Sequence, residues 1–127
     1  MPKILIVEDD AQISAFIAKT LNARGYRTRV EANGAAALLA AHEDLPEVIL
    51  LDLMMPILEG QETLQALRHD THTAHIPVIV LSGRVDDQVQ AGAYTAGANA
   101  YLTKPPDTQA LLSLVERLAS LKVKDAA

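Results

Sequence analysis

The sequence predicts an α/β protein: five parallel strands alternating with five helices, forming a doubly wound sheet covered on both faces. Two observations carry the prediction. Short apolar runs alternate five times with segments whose apolar residues recur at helical spacing, along 127 residues. The runs at Lys3–Val7 (KILIV) and 47–51 (EVILL) offer almost no polar face, and only a sheet sandwiched between helices can bury such strands. Helical crossovers between parallel strands are right-handed, which gives a (βα)5 chain.

Each element has its own signal. After the first strand, Ile13, Phe16, Ile17 and Leu21 mark one face of a helix, and Gly25 is placed to end it. Residues 26–31 (YRTRVE) alternate polar and apolar side chains, as an edge strand does. Asn33-Gly34 turns the chain into an Ala-rich helix reaching about His42. The second buried strand, 47–51, leads through a loop with Pro56 and Gly60 into a helix ending near Arg68. Residues 76–81 (IPVIVL) form the next strand, with Pro77 near its start, where a missing N–H does least harm. A helix over 86–96 is closed by Gly97, and 100–102 is a short last strand. Leu111, Leu114, Val115 and Leu118 stripe the closing helix.

Composition narrows the function. Half of the residues are hydrophobic and 21% charged, a globular balance. With one Phe, three Tyr and no Trp, the core must be built from Leu, Ile, Val and Ala. A formal charge of −5 argues against nucleic acid as a direct partner, since phosphate binding needs a basic patch. No apolar run approaches the roughly 20 residues that span a bilayer, and no signal peptide is visible, so a cytoplasmic protein without a membrane role is expected. The absence of cysteine excludes disulfides and thiolate metal sites.

Ligands of open parallel sheets bind outside the carboxyl ends of the strands. Glu8-Asp9-Asp10 follows the first strand, Asp52 the third, Ser82-Gly83 the fourth and Thr103-Lys104-Pro105 the fifth. Crowded carboxylates repel unless a cation holds them, and hard oxygen ligands with open positions suit Mg2+. A metal would also shield Asp52 from an incoming phosphoryl group, so that its carboxylate can act as nucleophile. Lys104 can supply positive charge, Ser82 a hydroxyl and Gly83 a backbone N–H to phosphoryl oxygens. Taken singly, each signal has a plainer reading. The acidic run could open a helix, Asp52 and Ser82-Gly83 could be turn residues, and Lys104 could be a solvated lysine. Their joint placement at the strand ends is what favours an aspartyl-phosphate site.

The runs ILIVEDD, VILLDLMMP, VIVLSG and GANAYLTKP, in this order, resemble the signature segments of response-regulator receiver domains, the CheY-like superfamily of two-component signalling. The resemblance covers nearly the whole chain. It implies the flavodoxin-like strand order 2-1-3-4-5, with residues 1–122 forming the receiver and 123–127 a short tail. It implies that Asp52 is phosphorylated by a histidine kinase or histidine phosphotransfer protein. Asp52, Ser82 and Lys104 would be the catalytic set, and Ser82, Gly83 and Lys104 would bind the phosphoryl group. Mg2+ would be held by Glu8, Asp9, Asp52 and the Met54 carbonyl, with Asp9 the direct ligand and Glu8 acting partly through water. Ser82 and Tyr101 would form the switch, and Lys104-Pro105 occupies the family's usual cis position. The domain assists its own phosphorylation and dephosphorylation and is not expected to be a turnover enzyme.

Three residues depart from the family pattern. Gly83 stands where Ala is frequent, Pro106 where many transcription-factor receivers carry an aromatic, and Ala100 where an acid is frequent. The last two argue against dimerisation through that face, so a monomer or weak dimer is expected. A stand-alone receiver acting on a downstream protein is preferred over the N-terminal piece of a larger regulator with a DNA-binding or enzymatic output domain. A flavin-binding electron carrier of this fold is disfavoured, because the loop after the first strand is acidic. A haloacid-dehalogenase-type phosphatase would need Asp-x-Asp where Asp52-Leu53-Met54 stands. His69, His72 and His75 recur every three residues, but the polar residues among them and Pro77 beyond point to a loop and not a metal-binding helix face.

Overall fold

The computed structural model describes residues 3–53, 60–83 and 87–126, with side chains described except at 87–89 and 120–126. The elements alternate strictly: β1 (Lys3–Val7), α1 (Ala11–Asn22), β2 (Arg27–Glu31), α2 (Gly34–Asp44), β3 (Val48–Asp52), α3 (Gly60–His69), β4 (Val78–Ser82), α4 (Asp87–Thr95), β5 (Ala100–Thr103) and α5 (Thr108–Ala126). The five strands form one parallel sheet in the order β2-β1-β3-β4-β5, as expected. The last helix runs on to Ala126, through most of the stretch read from the sequence as a tail.

Period-two alternation along the strands sorts the core into two layers. Leu5, Val7, Ile49, Leu51, Val78 and Val80 face Ala37, Ala40 and Ala41 of α2, Leu64 and Leu67 of α3 and Ala93 of α4. Ile4, Ile6, Val48, Leu50, Ile79 and Leu81 point the other way, onto Ile17 and Leu21 of α1 and Leu111, Val115 and Leu118 of α5. Each such Leu or Ile, removed from water, contributes about 1.5–3 kcal/mol. Strands β3 and β4 are buried at every residue, as their uninterrupted apolar runs require.

Two expectations are corrected. Phe16 is 44% exposed and does not join the buried stripe of α1. At about 100° per residue, the sheet-facing arc is centred between Ile17 and Leu21 and takes in Ser14, leaving Phe16 on its flank. The last three strands also end one residue later than their apolar runs. Asp52, Ser82 and Thr103 close β3, β4 and β5, with Asp52 in register with Leu81 and Ser82 with Thr103. The polar residues that end these runs are therefore fixed by sheet hydrogen bonding.

The punctuation is local chemistry. Asp10 caps α1, its Oδ1 accepting from the N–H groups of Gln12 (2.9 Å) and Ile13 (3.1 Å). Gly25, at φ 91°, turns the chain from α1 into β2. Asn33 caps α2 through the Ala36 N–H, and Asp107 accepts from the Ala110 N–H at the start of α5. Arg68 fastens the end of α3 to the turns before β4 and β5. It donates to the carbonyls of Ala74 (3.1 Å), Ile76 (2.7 Å) and Gly97 (3.0 and 2.8 Å) and to Asn99 Oδ1 (2.9 Å).

Candidate functional site

The carboxyl ends of β1, β3, β4 and β5 bring Glu8, Asp9, Asp52, Ser82, Gly83 and Lys104 to one edge of the sheet. Lys104 Nζ lies between two buried carboxylates, 2.8 Å from Glu8 Oε1 and 2.9 Å from Asp52 Oδ2. The neighbouring backbone is held as well. The Lys104 N–H donates to the Ser82 carbonyl (2.9 Å) and the Leu53 N–H to the Leu81 carbonyl (3.1 Å). The Lys104-Pro105 peptide is cis.

Charge at this edge is unbalanced. Glu8, Asp9 and Asp52 each offer a carboxylate oxygen within 4.8 Å of the others. Burial pushes the Glu8 carboxyl up to about 7, against the pull of Lys104 and of the Asp10 N–H that donates to its Oε2 (3.1 Å); the nearby Asp52 charge adds to the rise. Burial works against the Lys104 ammonium, but its contacts with Glu8 and Asp52 outweigh that and raise its pKa. Glu8 Oε1 is fully buried and accepts no aligned hydrogen bond, so we read its 2.8 Å approach to Lys104 as charge pairing. Three converging carboxylates, one with an oxygen lacking such a bond, are the donor set of a hard divalent cation, and the residues fit Mg2+. Met54, the expected carbonyl ligand, lies outside the described residues.

The acidic run divides its labour. Glu8 and Asp9 join Asp52, whereas Asp10 is committed to capping α1, so the plainer reading of a helix-opening acid holds for that residue alone. Ser82 is buried at the end of β4. Gly83 is exposed, and a Cβ there would meet nothing within 4 Å among the described residues, which leave room for the more frequent Ala. Tyr101 is half-buried and packs against the core layer beneath α2, α3 and α4. Ala100 and Pro106 are both buried, so neither presents a polar group on that face.

One positioning residue is not visible from the motifs. A Cβ on Gly60 would lie 2.6 Å from the Asp52 carbonyl oxygen and closer still to Leu53 Cα, so the start of α3 rests directly on the backbone carrying Asp52. A loop glycine eight positions after an acid has many ordinary explanations, and only the fold reveals this one. The histidines are also regrouped. His72 lies beside His42 and Asp70, and neither His69 nor His75 belongs to that cluster. A cleft of about 220 Å3 lined by Arg24, Tyr26, Leu112 and Glu116 lies away from the acidic edge.

Residues 4–116 match the family model of the response regulator receiver domain. Among curated relatives, the DNA-binding dual master transcriptional regulator RpaA of Synechocystis is 38% identical over 120 residues, covering 93% of this chain and 49% of RpaA. The chain thus spans about half the length of that regulator. Among solved structures, Vibrio cholerae chemotaxis protein CheY4 superposes with a TM-score of 0.87 at 29% identity, covering 93% of this chain and 98% of that one. The receiver domain of the Pseudomonas aeruginosa sensor histidine kinase PA1611, which has a magnesium ion in its active-site cleft, gives 0.87 at 28% identity, covering 94% and 98%.

Proposed function

The chain belongs to the response regulator receiver domain family of two-component signalling, and from that premise we propose that it is a phosphorylation-dependent switch using Asp52 as phosphoacceptor. The supporting observation is the Glu8–Lys104–Asp52 arrangement: a buried carboxylate at a strand end, gripped by one ammonium and flanked by two further acids.

An Asp52 carboxylate oxygen attacks the phosphorus of a phosphohistidine on a kinase or phosphotransfer protein. The new bond is O–P, the N–P bond breaks, and its electron pair returns to the imidazole of the donor. The product is a mixed anhydride, an acyl phosphate on Asp52. Glu8, Asp9 and Asp52 would hold Mg2+, which would supply positive charge to offset that of the attacking carboxylate and the incoming phosphoryl group. Lys104, already 2.9 Å from Asp52, is placed to follow the transferred charge, and Ser82 and the Gly83 N–H lie one strand away as further donors. Movement of Ser82 toward the phosphoryl group would be sensed by Tyr101, which is paired with Val80 in the adjacent strand. Such a protein modifies only itself, and its phosphorylated state is the signal, so it acts as a switch and not as a turnover enzyme.

The output is a change in protein–protein contact, read by a downstream target. The half-length match to RpaA favours a second setting, in which the same switch is the input unit of a longer regulator. Incubation with Mg2+ and acetyl phosphate or phosphoramidate, followed by intact mass measurement, tests the chemistry. Wild type gains one phosphoryl group that hydroxylamine removes, and Asp52→Asn gains none. Absence of labelling in wild type, or undiminished labelling of Asp52→Asn, overturns the proposal.

A further inference from the structure

The opposite edge of the sheet carries a second cluster of ligand-type side chains. His42 lies in the last turn of α2, and Asp70 and His72 lie in the turn after α3. His42 Nε2 is 3.7 Å from Asp70 Oδ2 and His72 Nδ1 is 3.3 Å from Asp70 Oδ1. The two imidazole rings are 4.7 Å apart at 54° to one another. We propose that His42, Asp70 and His72 form a surface site for a borderline divalent transition metal, with Zn2+ as its representative.

Three physical points support the site. Its ligand types are two imidazoles and one carboxylate, which select zinc, copper or nickel over magnesium. One donor atom from each residue lies within 4.8 Å of the others, with the two imidazoles approaching different oxygens of Asp70; donors on a tetrahedral ion with bonds of about 2.0–2.1 Å lie about 3.4 Å apart, so exposed side chains need close by only about an ångström to seat one. The carboxylate is also pre-oriented, because Asp70 Oδ1 accepts from the His72 N–H (2.8 Å).

The setting is favourable to a cation. The carboxyl ends of α2 and α3 converge there, and the negative ends of both helix dipoles point toward the cluster. All three side chains are solvent-accessible, so three protein ligands leave room for water in the fourth position. A bound ion would pin the end of α2 to the turn leading into β4, at the edge remote from Asp52. The site is therefore separate from the Mg2+ chemistry.

Zinc titration of the full chain in excess Mg2+, which occupies the acidic edge, tests the proposal. The expected result is one bound equivalent, with the imidazole 15N resonances of His42 and His72 shifting and those of His69 and His75 unmoved. His42→Ala and His72→Ala each weaken binding by about tenfold or more, whereas Asp52→Asn binds as wild type does. A melt without zinc checks that the variants are folded, as exposed substitutions should be. No binding by folded wild type, undiminished binding by His42→Ala, or loss of binding in Asp52→Asn would each overturn the assignment.

Discussion

Replacing Gly60 by alanine tests the link between packing and chemistry most directly. The added methyl would stand 2.6 Å from the Asp52 carbonyl oxygen and nearer to Leu53 Cα, where an ordinary contact needs about 3.4 Å or more. Both obstacles are backbone, so no rotamer change relieves them, and α3 or the Asp52–Leu53 segment must move by the better part of an ångström. Alanine gains up to about 1 kcal/mol over glycine within a helix, while overpacking costs about 1–3 kcal/mol. Because the clash is with backbone, the upper end of that cost applies and a net loss of about 2 kcal/mol is expected. The displacement falls on the residue whose carboxylate Lys104 holds at 2.9 Å. A misplacement of that size can slow a positioned reaction by about 100-fold. Urea unfolding gives the stability, and the rate of labelling by acetyl phosphate in saturating Mg2+ gives the chemistry. Gly83→Ala is the internal control, since its methyl meets nothing within 4 Å among the described residues and leaves the backbone N–H in place, so it should label like wild type. A Gly60→Ala protein as stable and as quickly labelled as its parent would refute the reasoning.

Three further outcomes are expected. Arg68→Met should lose about 3 kcal/mol in urea unfolding, because three backbone carbonyls and Asn99 Oδ1 lose a charged donor; a loss below about 1 kcal/mol would show that water replaces the guanidinium freely. Asp10→Ala should cost about 1 kcal/mol through the lost cap yet leave the Mg2+ dependence of labelling unchanged; a shift in that dependence would place Asp10 among the ligands. In the metal-free protein, Glu8 ionises near 4.5 when unfolded but at about 7 when folded, chiefly through burial. The folded state therefore holds this proton more tightly, so the contribution of Glu8 to stability is full below about 4.5 and is lost as pH rises through 7. The lowered carboxyls of Asp44 and Asp70 act with the opposite sign and below their usual value of 3.8, outside that window. Melts at pH 5 and pH 7.5 should differ more for wild type than for Glu8→Gln, and equal differences would remove Glu8 as the cause.

The sheet was legible because buried parallel strands write themselves as uninterrupted apolar runs, and 47–51 and 76–81 contain most of β3 and β4. Strand ends were less visible, since Asp52, Ser82 and Thr103 are polar but pair in the sheet like the residues before them. Periodicity locates α1 but does not fix its rotation within a residue's arc, which is why Phe16 fits the apolar spacing yet lies 44% exposed. At the site, residue types and their order after each strand suffice to point to Glu8, Asp9, Asp52 and Lys104. What escaped depends on contacts between segments. Gly60 matters only because α3 leans on Asp52, and His72 finds His42 only because α2 lies beside the end of α3.

The two edges of the sheet divide stability from chemistry. At the amino-terminal edge, Lys3 and Arg29 tie the carboxyl end of α2 to β1 and β2 through Asp44, at 3.4 and 3.0 Å. Such part-exposed pairs are worth about 0–1 kcal/mol each, so the greater share of polar fastening there falls to Arg68, whose donors are spent on backbone carbonyls. At the carboxyl-terminal edge, Lys104 answers two buried carboxylates at once, with Asp9 close by. One ammonium cannot neutralise three acids, and Glu8, raised chiefly by burial with the Asp52 charge adding to the rise, retains a proton near neutral pH. A divalent cation would release that proton and leave Lys104 free to follow charge arriving on Asp52. The same imbalance that makes this edge a poor fastener is what fits it to accept a metal and an anion together.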